Sequence, residues 1–302
     1  MGNLVKDKER ILADLAMLLA AIIWGGGFVA QRQATDQLDF FAYNALRFLL
    51  AGVVILPLAF KYIHLNKESL KWIGLCGVAM FAGSALQQAG LQTTTAASAG
   101  FITGLYVVLV PLFLALFWRL KIPALNWLAA LAALFGTYLL STSGKGFNIS
   151  TGDLLELAGA FVWPFHVIIV GFAAKKLNPF VLSAGQSLFC GLLHLIFSFF
   201  FQPITATAAL ATLWPILYGG LFSVAGGFTL QTFGQSKAPT ADSALILSLE
   251  SVFAAIFGVL LLGEKMNPVQ VLGSVIIMAS IFGVQIYTIW QSHRALKQIN
   301  TN

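Results

Sequence analysis

The sequence predicts an all-α integral membrane protein: ten transmembrane helices in two inverted five-helix repeats. Three observations carry that expectation: a composition too apolar for a soluble domain, ten apolar runs of spanning length, and a second half that resembles the first. Of 302 residues, 59% are hydrophobic and 9% charged, whereas soluble domains are about one quarter charged. Mean hydropathy is +0.87. The formal charge of +6 comes from cations scattered in short loops, the pattern of membrane orientation; no nucleic-acid partner is expected.

A spanning helix needs about 20 mostly apolar residues, and lipid offers stray backbone groups no partner, so each long apolar run should be one helix. The runs are 12–31, 40–60, 71–91, 95–118, 124–142, 153–174, 179–201, 212–235, 240–262 and 268–289, spans 1 to 10. Asn178-Pro179, Asn267-Pro268 and Gly144-Lys145-Gly146 punctuate them. Ten spans put both termini on one side. With them fall Lys6, Lys8, Arg10, Lys61, Lys67, Lys71, Arg119, Lys121, Lys175, Lys176, Lys237, Arg294 and Lys297, against Arg32, Lys145 and Lys265 opposite. The positive-inside rule makes both termini cytoplasmic, as an N-terminal segment 1–11 and a C-terminal tail 290–302. The cluster KDKER precedes an apolar run with no small-residue cleavage site, which reads as a first span rather than a removable signal. Cys76 and Cys190 lie in apolar runs and read as small buried hydrophobes.

DLAMLLAAIIW (Asp14 to Trp24) lies over DLLELAGAFVW (Asp153 to Trp163) at an offset of 139. The same offset sets Arg47 opposite Gln186 and Gly52 opposite Gly191. After a shift in the loops, Gln87 and Gly90 match Gln231 and Gly234, Ser98 matches Ser243, and Pro123 matches Pro268. The repeats are 12–142 and 153–289. Five spans per copy is odd, so the second copy enters the bilayer from the opposite side, an arrangement suited to opening a central site to either face in turn.

Ionisable groups at membrane depth are functional candidates by default. Arg47 lies eight residues beyond Asp39, about 12 Å into the bilayer, and Glu250 is equally deep beyond Asp242; the two are expected to face one space and to pair. For Glu250 the alternatives are a carboxylate that takes up and releases a proton as the site alternates, making protons the candidate coupling ion, and a static partner for a basic or hydroxyl group. For Arg47 they are a clamp for a substrate carboxylate or phosphate and a brace between helices. Trp24, Gln31, Trp163 and His166 fall on facing sides of spans 1 and 6; Gln87, Tyr106, Gln231 and Ser243 come from spans 3, 4, 8 and 9. Aromatic and polar residues together suit a largely apolar ligand cavity. Glu156, one turn from the outer boundary, reads as snorkelling or lining the mouth. Trp24-Gly25-Gly26-Gly27 lies over Trp163-Pro164-Phe165-His166. Glycine's freedom and proline's missing donor predict a hinge at Gly25, Gly26, Gly27 and Pro164, a thin or bent point where spans 1 and 6 flex or admit another backbone.

There is no H-E-x-x-H, G-x-S-x-G or Walker loop and no metal-ligand cluster, so neither catalytic residues, metal nor cofactor are expected, and solute or ion gradients must supply energy. The order and spacing of IIWGGGF, NALRFLLAG and LESVFAAIFGVLLLGEK resemble the EamA-like branch of the drug/metabolite transporter superfamily over nearly the whole chain. Trp24, Arg47, Glu250, Gly263, Glu264 and Pro111 match positions that the family commonly fills this way. Glu250-Ser251 stands where the family often has Glu-Pro, and Arg119 where it often has glutamate. The resemblance implies a multi-pass inner-membrane carrier, often an exporter, of small metabolites or amphiphilic compounds, working by alternating access. The alternatives are a nucleotide-sugar or phosphate-ester exchanger and, further off, an intramembrane enzyme or a lipid scramblase. Partners are the small-molecule substrate and the lipid bilayer, with the chain a monomer or homodimer.

Overall fold

A computed structural model describes residues 2–94, 96–142, 150–201, 204–262 and 265–300. Gly144 to Gly146, Gly263 and Glu264 lie outside them. Among the described residues all regular structure is helical. The helices are α1 (Gly2–Ala34), α2 (Phe40–Ala59), α3 (Lys67–Gly90), α4 (Ala96–Gly104), α5 (Tyr106–Phe117), α6 (Ala124–Thr142), α7 (Thr151–Ala173), α8 (Pro179–Phe201), α9 (Ala206–Ala211), α10 (Leu213–Leu217), a π-helical stretch Tyr218–Phe228, α11 (Thr229–Lys237), α12 (Thr240–Leu247), α13 (Glu250–Leu262) and α14 (Pro268–Asn300). Among the described residues seven segments are long and apolar enough to cross a membrane: Lys8–Ala34, Phe40–Tyr62, Lys67–Gly90, Thr151–Ala173, Pro179–Phe201, Leu213–Lys237 and Thr240–Phe257. Ile102–Phe117, Ala124–Leu140 and Pro268–Val284 are shorter apolar helices.

Local chemistry sets the ends. Asp39 accepts the Phe41 amide, and Asn66 with Ser69 and Ser150 with Asp153 form reciprocal capping boxes, which satisfy amides that a helix start leaves free. α5 stops at Arg119, whose φ of 52° is left-handed; the Leu120 amide then reaches back to the Leu114 carbonyl, a closure usually built with glycine.

The bundle is apolar outside, and its polar side chains at membrane depth lie within an otherwise apolar core. Phe199, Phe200, Leu128 and Leu260 are exposed, while Arg47, Glu156, His166, Gln186, His194 and Glu250 are buried. In water such a surface would aggregate; against lipid tails it is the stable arrangement. α2 packs on α8, α6 on α14, α3 on α7, and α1 on α13 and α11. Several contacts come in matched pairs. A Cβ on Gly52 would meet Leu188, and one on Gly191 would meet Leu49; Trp163 covers Gly83 as Trp24 covers Gly227. Cys76 and Cys190 are free and buried. Gly219, Gly220 and Gly227 receive Tyr43, Leu50 and Trp24, so these small residues pack within the chain.

α1 runs unbroken through Gly25–Gly27 and α7 through Pro164. The glycines thin α1: a Cβ on Gly25 would stand 2.7 Å from the Ala254 amide nitrogen and 2.6 Å from Phe253 Cβ, and Gly26 makes room for the Tyr218 hydroxyl, which donates to the Ile23 carbonyl at 2.8 Å. The interruptions lie at Leu105, between α4 and α5, and at Ser248–Leu249, between α12 and α13.

Candidate functional site: a central polar cavity

A cavity lies inside the bundle. Nine residues expected to bind ligand line it: Trp24, Gln31, Arg47, Gln87, Tyr106, Trp163, His166, Gln231 and Glu250. Ser243 does not. It is fully buried, and its hydroxyl donates to the Pro239 carbonyl one turn back. The two interruptions explain how Tyr106 and Glu250 arrive: each opens the second half of a broken helix, so each lies at an N-terminal turn, where Glu250 is favoured by the helix dipole. Their side chains lie side by side.

Arg47 and Glu250 share the cavity but do not pair. Arg47 Nε donates to Asn44 Oδ1 at 2.8 Å, and its guanidinium lies 5.1 Å from the Tyr43 ring centroid and 4.9 Å from that of Phe48. Among the described residues no carboxylate lies within ion-pair distance of it. The expected pair gives way to a cation held by one amide and two aromatic faces.

The other walls are unfinished. Buried Gln31 Oε1, Gln231 Oε1, Trp163 Nε1 and His166 Nδ1 have no hydrogen-bond partner among the described residues, while Tyr106 and Glu250 face each other. Buried polar atoms are normally paired, and each unpaired one costs about 1–3 kcal/mol. Several of them stand around one cavity. Other polar groups are spent. Trp24 Nε1 donates to the Ser223 carbonyl at 2.9 Å, His166 Nε2 lies 3.1 Å from Gln186 Oε1, and His194 bonds Ser84 at 2.9 Å outside the cavity. Glu156 does not snorkel. It is 1% exposed and accepts from Thr103 at 3.4 Å, because α3 presses Gly90 against its side chain and leaves no route outward.

Sequence reading missed Phe28, Phe48, Thr103, Ser223 and Phe228 in the wall. Phe228 is stacked 6.2 Å from Trp163 and lies 4.9 Å from Trp24, joining the two tryptophans. Its neighbour Gly227, which Trp24 covers, was the available signal.

A helical bundle with a lipid-type surface around an internal cavity marks a multi-pass membrane protein. The chain belongs to the EamA-like transporter family, which matches residues 11–142 and again 150–286. An uncharacterized transporter of Archaeoglobus fulgidus is 34% identical over 92% of this chain and 87% of its own length, and the uncharacterized transporter YetK of Bacillus subtilis is 25% identical over 93% and 88%. The threonine/homoserine exporter RhtA of Escherichia coli K12 is 27% identical over 57% of this chain and 58% of its own. One protein crystal structure, 19% identical, superposes with a TM-score of 0.75 over 89% of this chain and 96% of that one, a likeness of fold.

Proposed function

We propose that this chain is a secondary carrier, working as an exporter, that moves small organic metabolites or amphiphilic compounds by alternating access across the inner membrane. The observation that carries the reading is the cavity itself, which holds an unpaired cation, a carboxylate and several unspent donors and acceptors between aromatic walls. Arg47 takes the anionic group of the solute, Glu250 and Tyr106 its opposite end, and Trp24, Trp163 and Phe228 its apolar body. One cation in the lining suits a carboxylate better than a phosphate ester, which would ask for two or more. That the relatives carry transporter names favours a carrier over an enzyme, and RhtA's name favours export of a polar amino acid as the first case to try.

Ten spans in repeats 12–142 and 153–289, with both termini cytoplasmic, complete the proposal. The family matches twice in tandem over nearly those ranges. The paired contacts relate the same positions: Gly52–Leu188 and Gly191–Leu49 exchange under the offset of 139, and Trp163–Gly83 maps onto Trp24–Gly227. Reciprocal contacts of this kind are what a pseudo-two-fold axis in the membrane plane produces. Bending is assigned to Leu105 and Ser248–Leu249, at corresponding places in the two copies, where the helices are already interrupted. The glycines of α1 let α13 and Tyr218 stay close while it moves.

The test is counterflow into liposomes holding the purified chain and loaded with unlabelled solute, across amino acids, including threonine and homoserine, and other small carboxylates. Saturable counterflow of one class supports the proposal. Redistribution of lipid with no solute counterflow overturns it in favour of a scramblase.

A further inference from the structure

Glu156 is a buried carboxylate that the cavity's own chemistry leaves unused. It is 1% exposed on α7 and stands one residue behind the cavity wall, bonded to Thr103, which lines it. Its Oε1 has no hydrogen-bond partner among the described residues. Packing does not ask for a charge here. At the offset of 139 the corresponding residue is Met17, and it fills the corresponding place: Met17 lies against Gly234 and Ala13 as Glu156 lies against Gly90 and Gly152. Met17 is fully buried, so a thioether satisfies this niche in one half while the other keeps an acid that is far costlier to bury.

Among the described residues no cation compensates it. On α7 itself the acidic neighbour is Asp153, one turn towards the helix start, which Thr94 and the Ser150 capping box hold, and His166 lies ten residues on, about 15 Å along the axis. α3 faces Glu156 with Gln87 and Gly90, while its charged Lys67, Glu68 and Lys71 lie at least sixteen residues back, about 24 Å. α4 and α5 carry no charged residue. On α11 and α12, Lys237 pairs with Glu9 and Asp242 with Arg10, at the end of the bundle where α1 begins. Arg32 of α1 donates to the Leu91 carbonyl and to Thr35.

We infer that Glu156 is a proton-binding residue set behind the cavity wall, and that Thr103 links its protonation to the cavity. With Glu156 ionised, the Thr103 hydroxyl donates to Glu156 Oε2 and accepts from Gln87 Nε2 at 3.1 Å, which spends its one hydrogen. When the carboxylate takes a proton from water, the new O–H donates to Thr103 Oγ. That oxygen has two lone pairs, so it accepts from Gln87 and Glu156 together and its own hydrogen turns into the cavity. Proton binding thus adds one donor to the wall, and by reciprocity a solute that accepts from Thr103 tightens the hold on the proton. The link to solute rests on the carrier reading; the proton site does not.

Infrared difference spectroscopy of the full chain in lipid, stepped in pH, reads the C=O stretch of a protonated carboxyl without any solute, so its outcome is independent of whether transport is found. A titrating band that is lost in Glu156→Met, kept in Glu250→Gln and moved in frequency by Thr103→Val is the expected result. Met17 makes the first variant compatible with the fold, and the frequency shift in Thr103→Val decides the matter if it is not. A band that survives Glu156→Met, ignores Thr103→Val, or is missing from the wild type across the pH range in which it is folded overturns the inference.

Discussion

Replacing Arg47 with glutamine separates a ligand contact from a brace, because the two roles predict opposite balances of stability and binding. The guanidinium is 3% exposed and has no anionic partner among the described residues. Losing it leaves Asn44 Oδ1 without its 2.8 Å donor, at about 1–3 kcal/mol, and removes two ring contacts worth about 0.5–2 kcal/mol each. Against that, the several-kcal/mol cost of burying an unpaired ion disappears. The terms oppose, so thermal unfolding in detergent should shift by no more than about 2 kcal/mol equivalent. Binding has no such offset: a charge-assisted hydrogen bond contributes about 1.5–3 kcal/mol, roughly a 10- to 150-fold loss of affinity. The assay is ligand-induced stabilisation by matched carboxylates and their methyl esters. Wild type should prefer the acids, and R47Q should treat acid and ester alike. If R47Q unfolds at much lower temperature yet still prefers the acids, Arg47 is a brace and the clamp is wrong.

Other outcomes follow from the same contacts. Gly25→Leu should cost about 1–3 kcal/mol or more by overpacking against Phe253 and Ala254, whereas Gly27→Ala, whose nearest neighbour is the Ser223 hydroxyl at 3.3 Å, should be mild; parallel melting curves compare them. Asp242→Ala leaves Arg10 and Asn126, bonded to it at 2.9 and 2.8 Å, without that partner and should cost about 2–4 kcal/mol; it should also speed thiol labelling of a cysteine placed at that end of the bundle. Arg119→Gly should stabilise by up to about 1 kcal/mol, since φ of 52° strains any residue with a Cβ; a fall in melting temperature would show that the arginine side chain matters more than the backbone.

The helices and most of the cavity were legible because membrane burial inverts the usual rule: a polar residue in an apolar run has to face inwards, and Trp24, Arg47, Gln87, His166 and Glu250 all do. Ser243 failed because spacing along span 9 assumed one continuous helix, and the interruption at Ser248–Leu249 separates it from the face that carries Glu250. That interruption has no proline to announce it. The Gly25–Gly27 run announced a thin or bent point, and Phe253, Ala254 and Tyr218 stand close against it. Phe28 and Phe228 could not be singled out among 26 phenylalanines, since aromatic bulk serves lipid, core and cavity equally. Glu156 looked peripheral by its distance from the boundary; only the approach of Gly90 shows that its way to the outer boundary is closed, leaving it against Thr103 of the cavity wall.

Alternating access is tested most directly by distances across the two ends of the bundle. Spin labels at Lys8 and Ser236 report the end where Arg10 meets Asp242, and labels at Gln92 and Leu154 report the end where Thr94 meets Asp153. A solute found by counterflow should lengthen one distance while shortening the other, with Arg47→Gln abolishing the exchange. If both distances stay fixed while solute crosses, or if both lengthen together, the cavity is a channel and not the centre of a carrier.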